Sequence, residues 1–279
     1  MLIDLHVHTS RYSSCGRATP EQMLAAAIEA GLGGVALTEH NLVFPDTEIA
    51  ALRREFPQLL IFQGIEITSA EGDDYLLYGL RSAVEHERED ALQRGVPGER
   101  LVHRAHELGL AVVLAHPYRY GDQVPAFLEH EPVDGIEVMS SNILNYAHGR
   151  AVSLAERLGT WVMIASDGHA PEALGIYALR FGRAPCDERA LVRALLKREF
   201  SLYVNPDRLS TRNAEIAANR EAILRLIDEG LDDATIRKQI PGVSGVILRA
   251  LREGLDVHRP GSPEQLGALV AFTRAGGNG

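Results

Sequence analysis

Five short apolar runs each end in side chains able to bind a cation. Leu5-His6-Val7-His8 closes the first, Thr38-Glu39-His40-Asn41 the second and Gly64-Ile65-Glu66 the third, while Ala115-His116-Pro117 and Ser166-Asp167-Gly168-His169 close two later ones. His6 and His8 stand two apart, so on a strand their imidazoles leave one face and can grip a single ion. Asp167 and His169 repeat that spacing. Imidazoles and carboxylates without thiolate suit Zn²⁺, Mn²⁺ or Fe²⁺, which ligand type alone does not separate. His6, His8, His40, Glu66, His116, Asp167 and His169 exceed the four ligands of a typical zinc site, so two or three divalent ions are expected. Taken singly, a His-x-His pair is as well read as structural, and His116 as a strand-end histidine satisfied by the backbone. The combination is harder to explain that way, because unpaired buried carboxylates and imidazoles are costly.

These ligands converge only if the apolar runs are parallel strands whose carboxyl ends share one rim, where barrel enzymes place their active sites. Apolar runs at Leu2–Val7, Gly34–Leu37, 59–67, 75–78, 111–115, 135–138 and 161–165 alternate with segments of helical period, which is the pattern of βαβ units. Phe200–Val204 reads as a closing strand. The first helix is signalled by Thr19 as N-cap, Pro20 in the first turn, Gln22 at the capping-box position and Gly31 at its end. Further helices are expected at 99–108, 147–158 and 187–198. After the polar stretch Asn205-Pro206-Asp207-Arg208 no strand is evident, and helical spacing returns at 223–230, 232–240 and 242–251. The expected fold is α/β, a distorted (β/α)7 barrel at residues 1–204 with a C-terminal all-helical extension at 205–279, ending in a frayed tail.

Composition narrows the class. With 46% apolar and 24% charged residues, the chain of 279 residues is neither disordered nor collagen-like. No apolar stretch approaches the ~20 residues of a membrane helix, and the amino terminus does not read as a secretory signal. A cytoplasmic protein with Cys15 and Cys186 as free thiols is expected. The net charge of −10 argues against a protein that coats nucleic acid. Residues 205–279 hold ten Lys+Arg and ten Asp+Glu, so the whole −10 lies on residues 1–204.

In order and spacing, Asp4-Leu5-His6-Val7-His8-Thr9, Leu37-Thr38-Glu39-His40-Asn41, Gly64-Ile65-Glu66, Ala115-His116-Pro117, Gly135-Ile136-Glu137-Val138 and Ser166-Asp167-Gly168-His169-Ala170 resemble the PHP (polymerase and histidinol phosphatase) superfamily of metal-dependent phosphoesterases. The resemblance implies a distorted barrel of seven strand-helix units with a centre of two or three divalent ions. On the family pattern His6, His8, Glu66 and Asp167 hold the first ion, Glu66 bridges to a second that His116 also binds, and His40 and His169 belong to a third. Asp4 and Glu39 would stand behind the ligands and orient neighbouring imidazoles. Three places depart from that pattern. Glu39 and Asn41 replace the aspartates of a Thr-Asp-His-Asp motif, and Ser13-Ser14-Cys15-Gly16 stands where many members carry a His or Asp, which leaves open whether Cys15 is a ligand. Asp74 is the substitute for a histidine before the fourth strand, with a solvated turn aspartate as the competing reading. His86, His103, His106, His130, His148 and His258 match no motif and are not recruited.

The implied activity is that of a metal-dependent hydrolase, acting through a metal-activated water on a phosphomonoester of a small metabolite or nucleotide. Arg119, three residues after His116, is the expected substrate-binding group, since a guanidinium fork suits a phosphate oxygen. A nuclease or phosphodiesterase acting on nucleic-acid ends is the alternative enzyme, and a non-catalytic metal-binding regulatory protein the alternative outside catalysis. The extension loosely resembles a helix-turn-helix, with turns at Gly230 and Gly242-Val243-Ser244 and a local basic face of Arg237, Lys238, Arg249 and Arg252. A lid over the cleft or a contact between copies in a homo-oligomer is favoured over DNA binding.

Overall fold

Alternation along the first strand separates two tasks. In β1 (Leu2–Val7) the odd positions Ile3, Leu5 and Val7 are fully buried among apolar neighbours, while Asp4 and His6, followed by His8, occupy the alternate positions. A computed structural model describes residues 1–80, 82, 86–119, 121–240 and 243–275. The further strands are β2 (Gly34–Leu37), β3 (Leu60–Thr68), β4 (Asp74–Tyr78), β5 (Ala111–Leu114), β6 (Gly135–Met139), β7 (Trp161–Ile164), β8 (Tyr177–Phe181) and β9 (Phe200–Val204). They form one sheet in the order β7-β6-β5-β4-β3-β2-β1-β8-β9.

Pairing is parallel between β1 and β2, β2 and β3, β5 and β6, and β6 and β7. By contrast, β4 runs antiparallel to β3 and β5, and β8 runs antiparallel to β1 and β9. The sheet curls until the segment after β7 meets β1, where Gly168 N–H donates to His6 O at 3.0 Å and His8 N–H donates to Gly168 O at 2.9 Å. The distorted barrel is thus nearly closed, and its seam runs through the residues expected to bind metal. Phe200–Val204 does not make that seam; it lies at the sheet edge against β8. The alternation of strands with helices gives no sign of β8, which follows β7 after only a short 3₁₀ turn at Pro171–Ala173.

Helix α1 (Pro20–Glu29) starts as its capping box dictates: Gln22 N–H donates to Thr19 Oγ1 at 3.3 Å, and Thr19 N–H donates to Gln22 Oε1 at 2.9 Å. The other barrel helices are α2 (Asp46–Glu55), α3 (Gly98–Glu107), α4 (Asn145–Leu158) and α5 (Glu188–Leu196). The extension comprises α6 (Pro206–Asp228), α7 (Asp233–Gln239), α8 (Gly245–Arg252) and α9 (Pro263–Ala275). Asn205-Pro206 is a helix start rather than a linker, because Asn205 Oδ1 accepts from Arg208 N at 3.1 Å and Pro206 needs no partner for a missing N–H. Helix α6 buries only Leu209, Ile216 and Ile223, seven residues apart, which is why its first half carries little helical signal. Gly242 and residues 276–279 lie outside the described residues.

Ile223, Ile236, Val246, Ile247 and Leu251 form an apolar cluster that includes Leu144 of the barrel. Leu209 and Leu269 join the main barrel core instead. The extension is therefore packed onto the barrel at both ends.

Candidate metal centre

At the barrel rim, His6 Nε2 and His8 Nε2 lie 3.0 Å apart. The same His6 nitrogen is 3.5 Å from Glu66 Oε1 and 3.4 Å from Asp167 Oδ1, and His8 Nε2 is 3.2 Å from Glu66 Oε2 and 3.5 Å from Asp167 Oδ1. All four residues are at most 1% exposed. A tetrahedral ion with bonds of about 2.0–2.1 Å separates its ligand atoms by about 3.3–3.4 Å. The observed cage has that size.

The hydrogen bonds behind the rings set their tautomers. Glu137 Oε1 accepts from His6 Nδ1 at 3.0 Å, and Ser13 Oγ, itself donating to Glu39, accepts from His8 Nδ1 at 3.3 Å. Both Nε2 lone pairs then point at each other and at carboxylate oxygens. Asp167 Oδ1 is buried with no hydrogen-bond partner. Four converging acceptors without a donor among them are costly unless a positive charge sits between them, so the donor set fits a divalent cation.

The remaining expected ligands surround this cage. His116 Nε2 is 2.9 Å from Glu66 Oε1, and Asp74 comes within ligand distance of the same pair, its Oδ1 accepting from Thr68 Oγ1 at 2.6 Å. His40 Nδ1 is 2.9 Å from Glu66 Oε2, and His169 Nδ1 is 3.4 Å from Asp167 Oδ1. His40 and His169 gather with His8 and Cys15, their donor atoms all within 4.8 Å of one another. Arg119 Nη1 lies 3.2 Å from His116 Nε2 and 3.9 Å from Asp167 Oδ2, at the edge of the centre. His116 and Asp167 adopt positive φ values of 26° and 46°, a strain that ligand-bearing strand ends commonly hold.

Two supporting roles differ from expectation. Asp4 orients no imidazole; its Oδ1 accepts from the N–H groups of His6 at 3.3 Å and Ser166 at 3.0 Å and so pins the barrel seam. Glu39 accepts from Thr9 Oγ1 at 2.5 Å and from Ser13 Oγ, and reaches His8 only through that serine. Asn41 has φ 57° and its Oδ1 accepts from Thr68 N at 3.0 Å, so it shapes the turn after β2. Asn142, unremarked in the sequence, donates to Asp167 Oδ2 at 2.6 Å. The run Ser140-Ser141-Asn142 after β6 obeys the strand-end rule that finds the other ligands.

The histidines without a motif stay outside the centre. His86 and His148 bond the backbone oxygens of Leu92 and Val138 at 2.9 and 2.8 Å, while His106, His130 and His258 pair with Glu131, Glu99 and Asp256. His103 sits between Glu107 and Glu131.

Electrostatically the cage is tuned for ionised ligands. When the imidazoles carry protons in place of an ion, burial alone would raise Glu66, but protonated His6 and His116 beside it hold its carboxyl well below the usual range. Burial likewise opposes ionisation of Asp167, and His6 and His169 overcome it. Burial also works against the Cys15 thiolate, yet hydrogen bonds with His169 and His40 pull the thiol down to about 5.

A nearly closed barrel whose rim gathers imidazoles and carboxylates around cation-sized gaps has the architecture of a metal-dependent hydrolase. Residues 4–120 match the family model of the PHP domain, which together with the rim site indicates a metal-dependent hydrolase. The uncharacterized protein MJ1587 of Methanocaldococcus jannaschii is 26% identical over 156 residues, covering 50% of this chain and 82% of the relative. Among solved structures, PsfC of Pseudomonas syringae shares the fold with a TM-score of 0.56 at 19% identity, over 74% of this chain and 92% of its own. The lesion-specific endonuclease PfuEndoQ of Pyrococcus furiosus gives 0.51 at 15% identity, over 70% of this chain and 55% of its own.

Proposed function

We propose that the protein hydrolyses a phosphomonoester of a small metabolite or nucleotide at a centre of two or three divalent ions, zinc, manganese or iron. His6, His8, His40, Glu66, Asp74, His116, Asp167 and His169 would hold them. The observation that carries this reading is Glu66, whose two buried oxygens lie 2.9 Å from His116 Nε2 and 2.9 Å from His40 Nδ1, a carboxylate placed to serve neighbouring ions. When bound, such ions lower the pKa of a water and stabilise the entering and leaving oxygens of an in-line phosphoryl displacement. The protein's own groups orient that chemistry: Glu137 and Ser13 fix the imidazole tautomers, Asn142 holds Asp167, and Arg119 offers N–H donors to a phosphate oxygen. Local cations also let an anionic substrate approach a chain of net charge −10.

Nucleic-acid ends are the second substrate class the same centre would serve. Two arginines of the supposed basic face, Arg249 and Arg252, are paired with Glu253 and Asp233, which favours the small substrate. No described helix is long and apolar enough to cross a membrane, and a cytoplasmic setting belongs to this proposal.

Elemental analysis of the purified protein, followed by assays on phosphomonoester, phosphodiester and oligonucleotide panels with Asp167→Ala as control, tests the reading. Metal-dependent phosphomonoester turnover that Asp167→Ala abolishes is expected. Equal activity in both proteins would refute metal catalysis, and turnover of oligonucleotides alone would transfer the assignment to the nuclease. Arg119→Ala should raise KM for the active phosphoester; an unchanged KM removes Arg119 from the substrate site.

A further inference from the structure

A cleft of about 580 Å³ opens beside the centre, bounded by Asp167 and His169 on the barrel side and by Arg212, Arg237 and Arg259 from the extension. Arg259 stands apart among these cations because it is only 5% exposed. Its Nε donates to Ser141 O at 3.0 Å, and its backbone N–H donates to Asn213 Oδ1 at 3.0 Å. Its Nη1 is buried with no hydrogen-bond partner. Among the described residues no carboxylate lies within ion-pair distance of it, whereas Arg212 is paired with Glu215 and sits 3.8 Å from Glu172. Burial and the nearby Arg212 push the Arg259 guanidinium down to about 10, which still leaves it charged at neutral pH.

A buried guanidinium without a counter-ion is expensive, because desolvation is offset only by a partner of opposite charge. The charge is kept against that cost at a definite place. Ser141, which anchors Arg259, precedes Asn142, which holds Asp167. The cation is therefore tied through two neighbouring residues to the metal centre and faces the cleft that leads to it.

We propose that Arg259, with Arg212 and Arg237, forms a second anion subsite that takes a phosphate or carboxylate carried by the substrate beyond the phosphoryl group that is cleaved. The extension would then act as the specificity wall of the cleft, selecting phosphomonoesters with two anionic groups. The location of the scissile group rests on the phosphomonoesterase reading; the existence of the subsite does not.

Two measurements on the full chain separate these. First, calorimetric titration with inorganic pyrophosphate in excess chelator reads the subsite without turnover. Wild type should bind, Arg259→Gln should bind at least tenfold more weakly, and the exposed Arg237→Gln about threefold more weakly. Second, the loss of kcat/KM in Arg259→Gln should be at least tenfold greater on phosphomonoesters bearing a second phosphate or a carboxylate than on p-nitrophenyl phosphate. The larger loss identifies which second anion the subsite takes. If Arg259→Gln fails to fold, Arg212→Gln and Arg237→Gln carry both measurements. Absence of pyrophosphate binding by wild type, wild-type binding by the variants, or equal losses on both substrate types would overturn the subsite. Pyrophosphate binding that depends on Arg259 in a protein that cleaves no phosphomonoester would uphold the subsite and sink the activity.

Discussion

Glu137 accepts the Nδ1 proton of His6 at 3.0 Å through one carboxylate oxygen and the backbone N–H of His116 at 3.0 Å through the other. One side chain on β6 thus orients the imidazole of one candidate ligand and the main chain of another. Outer carboxylates of this kind typically change metal affinity by about 10–100-fold when replaced. Glu137→Gln should weaken metal binding by that order, read by competition against a chromogenic chelator, with little change in fold. Wild-type affinity in the variant would show that the His6 tautomer is set elsewhere.

Cys15 is presented by a tight loop in which a Cβ on Gly16 would come within 2.3 Å of the Thr9 carbonyl carbon. Only glycine fits there, so the loop that brings Cys15 to His8, His40 and His169 depends on it. If the thiolate completes an ion site, Cys15→Ala should lower the bound metal by up to one equivalent, and the cobalt-substituted protein should lose its thiolate charge-transfer band. Gly16→Ala should lose the same band with the cysteine in place. An unchanged metal ratio together with no band in wild type would exclude Cys15 from the centre.

Seven of the eight candidate ligands stand out in the sequence because each sits at the end of an apolar run, and strand ends of a barrel meet at one rim whatever the details of connection; Asp74 begins β4 and is suggested by the family resemblance alone. The supporting groups stand out less. Glu137 lies inside a recognised motif, yet its partner His6 is 131 residues away, and nothing local marks the pairing. Asp4 looks like a ring-orienting carboxylate, but the close approach of β1 to Ser166 turns it toward backbone N–H groups. The extension was readable only from residue 223, since α6 buries one residue per two turns over its first half. Arg259 sits in an irregular segment between helices, where no periodicity reports that a charge is buried.

Ile223 is fully buried in the apolar cluster that unites α6, α8 and Leu144 of the barrel. Removing its side chain should cost about 2–5 kcal/mol, as for other large-to-alanine changes in cores. Because Leu209 and Leu269 of the extension lie in the barrel core, and Arg249 Nη1 donates to Arg119 O at 3.4 Å, the loss should appear as one shifted unfolding transition. Denaturant unfolding of Ile223→Ala followed by circular dichroism checks this. A separate early transition with an unshifted main one would mean that the extension folds independently of the barrel.

His148 is buried against the barrel, its Nδ1 bonded to Val138 O at 2.8 Å, and burial lowers its pKa while that bond partly opposes the shift. A histidine depressed in the folded state stays neutral there, whereas in the unfolded chain it takes up a proton near pH 6.5. Its contribution to stability is therefore present above the unfolded value and is lost as pH falls from about 6.5 through the folded value, at no more than about 1.4 kcal/mol per pH unit. His148→Asn removes that titration and keeps a donor for Val138 O. Urea unfolding in chelator at pH 8, 7, 6 and 5.5, values chosen to span roughly the ordinary histidine range, should show the stability gap between wild type and variant closing as pH falls. A gap independent of pH would mean that His148 is as easily protonated in the fold as in the unfolded chain.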